Sequence, residues 1–156
     1  MVRFEDEKDY PQSPAELWTK LSDARFLVQC IPDVESVTEA EADHARLVLR
    51  PGFSFVRGTL EATLRVVDAE APQTARYTIA NKGIGSSADV EATVALEPQG
   101  TGTRVRWTAE VKALGGLLKM VPSGLIRGAA EKVVNDAWSA VEAKLNAPQN
   151  PSEPAA

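Results

Sequence analysis

Through the middle of the chain, apolar and polar residues alternate. Val56, Leu60, Ala62, Leu64 and Val66 share one face of an extended chain, with Arg57, Glu61 and Arg65 on the other. Ala88, Val90, Ala92, Val94 and Leu96 repeat the pattern against Asp89 and Glu91. Val105, Trp107, Ala109 and Val111 repeat it against Arg104, Arg106 and Glu110. A period of two with one apolar side predicts strands buried on one face and wet on the other. The predicted strands are Asp33–Glu41, His44–Arg50, Phe53–Val67, Thr74–Lys82, Ser86–Glu97 and Thr103–Ala113. Turn residues divide them at Ala42-Asp43, Pro51-Gly52, Ala71-Pro72-Gln73, Gly83-Ile84-Gly85 and Gly100-Thr101-Gly102. Connections this short join antiparallel neighbours. A first strand, Val2–Tyr10, carries only Val2, Phe4 and Tyr10 as apolar residues, which suits a sheet edge or a half-solvated position.

The period changes at both ends of this block. Ser13-Pro14-Ala15-Glu16 is a capping box with proline at the first helical position, and the helix it opens buries Leu17, Trp18 and Leu21. Ser22 or Asp23 caps a second short helix carrying Phe26, Leu27, Cys30 and Ile31, which Pro32 ends. From Leu125 onward, apolar residues recur at steps of three and four through Val133, Ala137 and Trp138 to Leu145, with Arg127, Glu131, Lys132, Asp136, Glu142 and Lys144 opposite. A helix over Ser123–Asn146 would be roughly 35 Å long, enough to cross a small domain. The order is strand, two short helices, six antiparallel strands, long helix. It predicts one α+β domain over 1–146, a curved seven-stranded antiparallel sheet wrapped around the long C-terminal helix. The Pro-rich remainder, 147–156, is expected to be disordered.

Composition narrows the function. The net charge of −5 over 156 residues argues against a nucleic-acid partner. No run of eighteen apolar residues exists, and the acidic, alternating N-terminus does not read as a signal peptide, so a cytoplasmic location is expected. One cysteine and one histidine leave no disulfide framework, no structural zinc site and no two-histidine iron site. No cofactor is expected. His44 falls at a turn among acidic residues and reads as solvated. Cys30 reads as a core residue. No carboxylate lies clearly on a buried face, so no general acid or base can be named, and a non-catalytic protein is expected. Gly83-Ile84-Gly85-Ser86-Ser87-Ala88 fits a loose dinucleotide-binding pattern, but a strand follows it where that pattern needs a helix. Gly124 and Gly128 would let the long helix approach the sheet closely, or leave a void beside it.

Small residues on the inner face carry the main functional signal. Gly58, Ala62, Ala88, Ala92 and Ala109, with Gly128 and Ala129 above them, leave apolar space that suits a hydrophobic ligand. The alternative is a packed core in which Trp18, Phe26, Trp107 and Trp138 fill the gap. The candidate lining is Leu21, Phe26 and Cys30 from the short helices; Val56, Leu60, Ala62, Ala88, Val90, Ala92, Trp107 and Ala109 from the strands; and Leu125, Ala129 and Val133 from the long helix. Leu117, Leu118, Lys119 and Met120 lie between Gly115-Gly116 and Pro122. They cannot all point inward, and form a candidate lip toward a membrane or a partner.

Leu21-Ser22-Asp23, Arg25 and Cys30-Ile31-Pro32-Asp33-Val34-Glu35 together resemble the helix-to-strand signature of the carbon monoxide dehydrogenase G-subunit (CoxG) family. Phe4-Glu5, Ser13 to Trp18, Gly58 to Ala62, Gly85 to Ala88, Leu96-Glu97-Pro98 with Gly102 to Val105, and Gly128 to Ala130 extend the likeness over roughly Val2 to Leu145. Asp33 stands where that family usually has glycine, and Pro122 interrupts the start of the long helix. The family belongs to the START/birch-pollen-allergen-like superfamily, SRPBCC. The resemblance implies the helix-grip fold with a deep apolar cavity. It also implies a role beside a molybdenum-containing carbon monoxide dehydrogenase, in membrane recruitment and quinone handling, with peripheral contact at the inner membrane face. The superfamily also holds polyketide cyclases, oxygenase domains and chaperone activators. The chain lacks the oxygenases' metal ligands and shows no cyclase-like polar cluster. A carrier of a quinone or lipid is therefore the expected function, with a cyclase- or hydrolase-like enzyme and a ligand-free interaction module as alternatives.

Overall fold

The computed structural model describes residues 2–52, 58–70, 73–83 and 85–146. Along the chain run β1 (Arg3–Tyr10), α1 (Pro14–Leu21), α2 (Ala24–Leu27, continued as a 3-10 turn over Val28–Cys30), β2 (Val34–Ala40) and β3 (His44–Leu49). Then come β4 (Leu60–Glu70), β5 (Thr74–Gly83), β6 (Ser86–Gln99), β7 (Gly102–Gly116), a 3-10 turn over Leu117–Met120 and α3 (Ser123–Asn146). The capping box of α1 forms in full: the Ser13 hydroxyl accepts from the Glu16 N–H, and the Glu16 carboxylate accepts from the Ser13 N–H. Asp23 caps α2 by accepting from the Arg25 N–H.

All seven strands form one antiparallel sheet, ordered β1-β7-β6-β5-β4-β3-β2. β1 is an edge strand, as its sparse apolar content requires. Register shifts between Val34 and Ser36, Val37 and Glu39, Val66 and Asp68, and Asp89 and Val90 add bends to a sheet that is already curved. Several strands outrun their predicted ends. β4 continues to Glu70, and β6 and β7 pair from Gln99↔Gly102 back to Ser86↔Gly116. The predicted start of β4 and the predicted disordered tail both lie outside the described residues. The Gly83-to-Ala88 stretch enters a hairpin, with Gly83 paired to Ser86, so no helix stands there to hold a dinucleotide phosphate. Gly116 has φ +60, and a Cβ there would collide with the Gly85 carbonyl; glycine is required where β7 turns into Leu117–Met120.

The alternation places Leu60, Ala62 and Leu64 of β4, Val94 and Leu96 of β6, and Val105, Trp107, Ala109 and Val111 of β7 on the buried face. The core they build is divided. A large cluster gathers Leu17, Leu21, Leu47, Leu96, Val105, Val141 and Leu145, and a small separate one gathers Leu60, Leu118 and Ile126. α3 bridges them unevenly. Its C-terminal half is pinned to the sheet edge. The Trp138 ring lies 6.5 Å from Tyr10 and 5.7 Å from Trp107, the Tyr10 hydroxyl donates to Glu142 at 3.0 Å, and Gln12 Nε2 donates to the Leu145 carbonyl at 3.2 Å. In the N-terminal half only Ile126 is buried, and the neighbouring Arg127 guanidinium lies 5.1 Å from the centre of the Phe4 ring. Pro122 does not kink the helix. It precedes it, and its carbonyl accepts the first helical N–H groups, from Leu125 and Ile126.

Candidate functional site: a two-lobed apolar cavity

The space between the two clusters, under the loosely packed half of α3, is a cavity with two adjoining lobes of about 200 Å³ and about 240 Å³. The smaller lies beneath the start of α3, among Leu60, Ala88, Leu118, Ile126, Ala129 and Ala130. The larger runs deeper, among Leu21, Cys30, Ala62, Ala92, Trp107 and Trp138. Val90, Ala109, Val133, Val134 and Asn81 wall both. The strand register explains the hollow. Ala92 sits directly opposite Ala109 across β6 and β7, and Ala88 opposite Asn81 across β6 and β5, so short side chains lie next to one another where large ones would reach the helix. A side chain at Gly124 or Gly128 would meet open space, so these glycines do not mediate close helix–sheet contact.

The candidate lining divides accordingly. Leu21, Cys30, Leu60, Ala62, Ala88, Val90, Ala92, Trp107, Ala109, Ala129 and Val133 border one lobe or both. Phe26 does not: it packs on the core from outside, half-buried, with the Lys20 ammonium 5.5 Å from its ring. Leu125 is 53% exposed, because Ile126, one position and a 100° rotation further on, takes the inward direction together with Ala129, Ala130 and Val133. Val56 lies outside the described residues. The lip divides too. Leu117 and Met120 face solvent, at 63% and 81% exposure, with the exposed Lys119 between them, but Leu118 turns inward and forms part of the smaller lobe's wall.

The chemistry of the wall is that of hydrocarbon. Most of its polar groups are spent on one another. The Tyr77 hydroxyl donates to the Leu21 carbonyl at 2.5 Å, and the Thr93 and Thr108 hydroxyls share a bond of 2.5 Å. Burial pushes the Cys30 thiol up to about 11, so it stays protonated and poorly nucleophilic at neutral pH. None of the described lining residues is Lys, Arg or His, and the charged residues that border the cavity, Asp33 and Glu110 at the smaller lobe, are both acidic. His44 is elsewhere, on the β2–β3 hairpin, where hydrogen bonds to Asp43 and then Glu39 raise its pKa. An anion would find no counter-charge in such a cavity, and a neutral apolar body would find mostly carbon around it. Asn81 went unnoticed in the sequence, although it shares the phase of Ala75, Tyr77 and Ile79 on β5.

The model of the carbon monoxide dehydrogenase G-subunit family, CoxG, matches residues 8–146. No curated protein matches significantly. Among solved structures, a conserved protein from Geobacillus kaustophilus is similar with a TM-score of 0.78 at 20% identity, over 92% of this chain and 94% of that one. The AHSA1 protein from Silicibacter pomeroyi gives a TM-score of 0.62 at 15% identity, over 92% and 97% of the two chains. Ara h 8.0201 gives 0.61 at 15% identity, over 93% and 98%. At these identities the likeness is one of fold. With residues 8–146 matched, the chain belongs to the carbon monoxide dehydrogenase G-subunit (CoxG) family, and its curved sheet closed by α3 is a helix-grip fold.

Proposed function

We propose that the chain is a non-catalytic carrier that holds a neutral lipophile, a quinone or a lipid, in the two-lobed cavity and exchanges it with a membrane. One observation carries this reading: the adjoining, largely apolar lobes of about 200 Å³ and about 240 Å³. Apolar cavities of about 150 Å³ already stay dry and take up small hydrocarbons. The wall carries no described cation, which favours uncharged ligands over fatty-acid anions or phosphates.

The way in lies at the start of α3, where the helix is least packed. Leu117, Met120 and Leu125 present exposed apolar surface beside Lys119, next to the Leu118 and Ile126 side chains that wall the smaller lobe. Apolar side chains around a cation suit a shallow, peripheral seat on an anionic bilayer. No described helix is long and apolar enough to cross one. Membership of the CoxG family, named for carbon monoxide dehydrogenase, supports a further element: delivery or recruitment beside an oxidoreductase of that kind, at the inner face of the membrane. Placement in the SRPBCC superfamily fits the same reading.

The test is transfer of decylubiquinone from phosphatidylglycerol-containing vesicles to the protein, followed by quenching of Trp107 and Trp138. The wild type should take up the quinone and return it chemically unchanged on extraction. Met120→Asp, at a solvent-facing position, should slow transfer several-fold with the fold intact, and Lys119→Glu should do so mainly at low salt. Folded wild-type protein whose fluorescence ignores the quinone would contradict the reading.

A further inference from the structure

Asn81 is a polar side chain on the apolar floor of the cavity. It follows Ala75, Tyr77 and Ile79 on the inward face of β5, and it walls both lobes. In its row across the sheet it stands between Ala62 of β4 and Ala88 of β6, so neither neighbour is long enough to cover its amide. Its Nδ2 donates to the Ala88 carbonyl at 3.2 Å. A carbonyl can only accept, so this bond decides which end of the amide is nitrogen and leaves Oδ1 as the other end. Among the described residues, no donor reaches Oδ1. The Trp107 Nε1–H, also in the larger lobe, lacks a partner too, but that nitrogen has essentially no surface open to a ligand.

An acceptor held in place in a hydrocarbon-lined space discriminates strongly, because a ligand donor that meets it keeps the hydrogen bond it gives up in water, and one that does not loses it. We propose that Asn81 is the polar recognition point of this cavity. Its Oδ1 accepts a hydrogen bond from a hydroxyl carried part-way along an otherwise apolar ligand, with the ligand's two apolar portions occupying the two lobes. Within the quinone-or-lipid class proposed above, the preferred ligands are thus those that carry a hydroxyl, a quinol or a hydroxylated lipid, over a bare hydrocarbon or an acceptor-only oxidised quinone, which binds through its apolar body alone. This inference rests on the hydrophobic-ligand reading above and adds the position and sense of one hydrogen bond.

Three matched probes test it: cyclododecanol, its methyl ether, which accepts but cannot donate, and cyclododecane, each titrated by tryptophan fluorescence. The wild type should bind the alcohol about tenfold more tightly than the ether. Asn81→Leu should erase that preference, weakening the alcohol about tenfold and leaving the hydrocarbon unchanged. Equal affinity of the wild type for alcohol and ether, or a preference that survives in Asn81→Leu, overturns the role of Asn81 while leaving the hydrophobic-ligand reading intact. If none of the three probes binds the wild type, that reading falls, and this one with it. Should Asn81→Leu not fold, the alcohol-to-ether ratio in the wild type decides alone.

Discussion

Ala92→Leu distinguishes an open cavity from a filled core by the sign of its effect. Ala92 borders the larger lobe, opposite Ala109 on one side and Tyr77 on the other. Leucine adds three carbons there. If they enter empty apolar space, their transfer from water contributes about 0.8 kcal/mol each. Ordering the longer side chain takes back about 0.5–1 kcal/mol. The net gain is about 1.5 kcal/mol, and at this chain length that raises the melting temperature by about 3–6 °C. The space is ample, since three carbons fill only part of a lobe of about 240 Å³. Urea denaturation of lipid-stripped protein reads the first effect, as a rise in midpoint at constant slope. Titration with decylubiquinone reads the second, as affinity lost about tenfold because the new side chain occupies the ligand's place. Overpacking a closed core would instead destabilise by about 1–3 kcal/mol. Destabilisation of that size with quinone uptake unchanged would refute the reasoning.

Two further outcomes follow from single contacts. Tyr10→Phe removes the hydroxyl that holds Glu142 and so the C-terminal half of α3; it should cost about 1.5 kcal/mol in urea melts, whereas an unchanged midpoint would mean that stacking of Tyr10 on Trp138 suffices. Asp33 has φ +62, the left-handed region that favours glycine, so Asp33→Gly should be neutral within about 0.5 kcal/mol, relief of backbone strain offsetting added unfolded-state freedom, while Asp33→Val should destabilise by about 2 kcal/mol; equal stability of the two variants would show that the backbone there adjusts freely.

Much of the fold was legible because the sequence states it locally. The capping box at Ser13 to Glu16, the clean alternation of β4, β6 and β7, and the long apolar repeat of α3 each translate directly into an observed element. The glycine usual at position 33 in the family pattern also acquires a physical reason, since the backbone there is left-handed even with aspartate in place. What was not legible is phase and fit. At the start of α3, apolar residues come in adjacent pairs, Leu125-Ile126, Ala129-Ala130 and Val133-Val134, so the repeat fixes a stripe but not which member of each pair faces in. Leu125 was misplaced for that reason, and Leu118 because its direction depends on how the Leu117–Met120 turn seats on Gly85, through the Leu117 N–H to Gly85 carbonyl bond of 3.0 Å. Asn81 was missed because one amide in a strand carries no spacing signature. Only the sheet register, with alanines on both sides, gives it access to the cavity.

The most direct test of a lipophile-carrying cavity is native mass spectrometry of the protein purified from its own cells without detergent or organic solvent. The expected result is a population heavier than the bare chain by the mass of one neutral lipophile, which dissociates on activation and is absent from Ala92→Leu prepared in parallel. A wild-type spectrum showing only the bare chain mass, from protein kept native throughout, would contradict it.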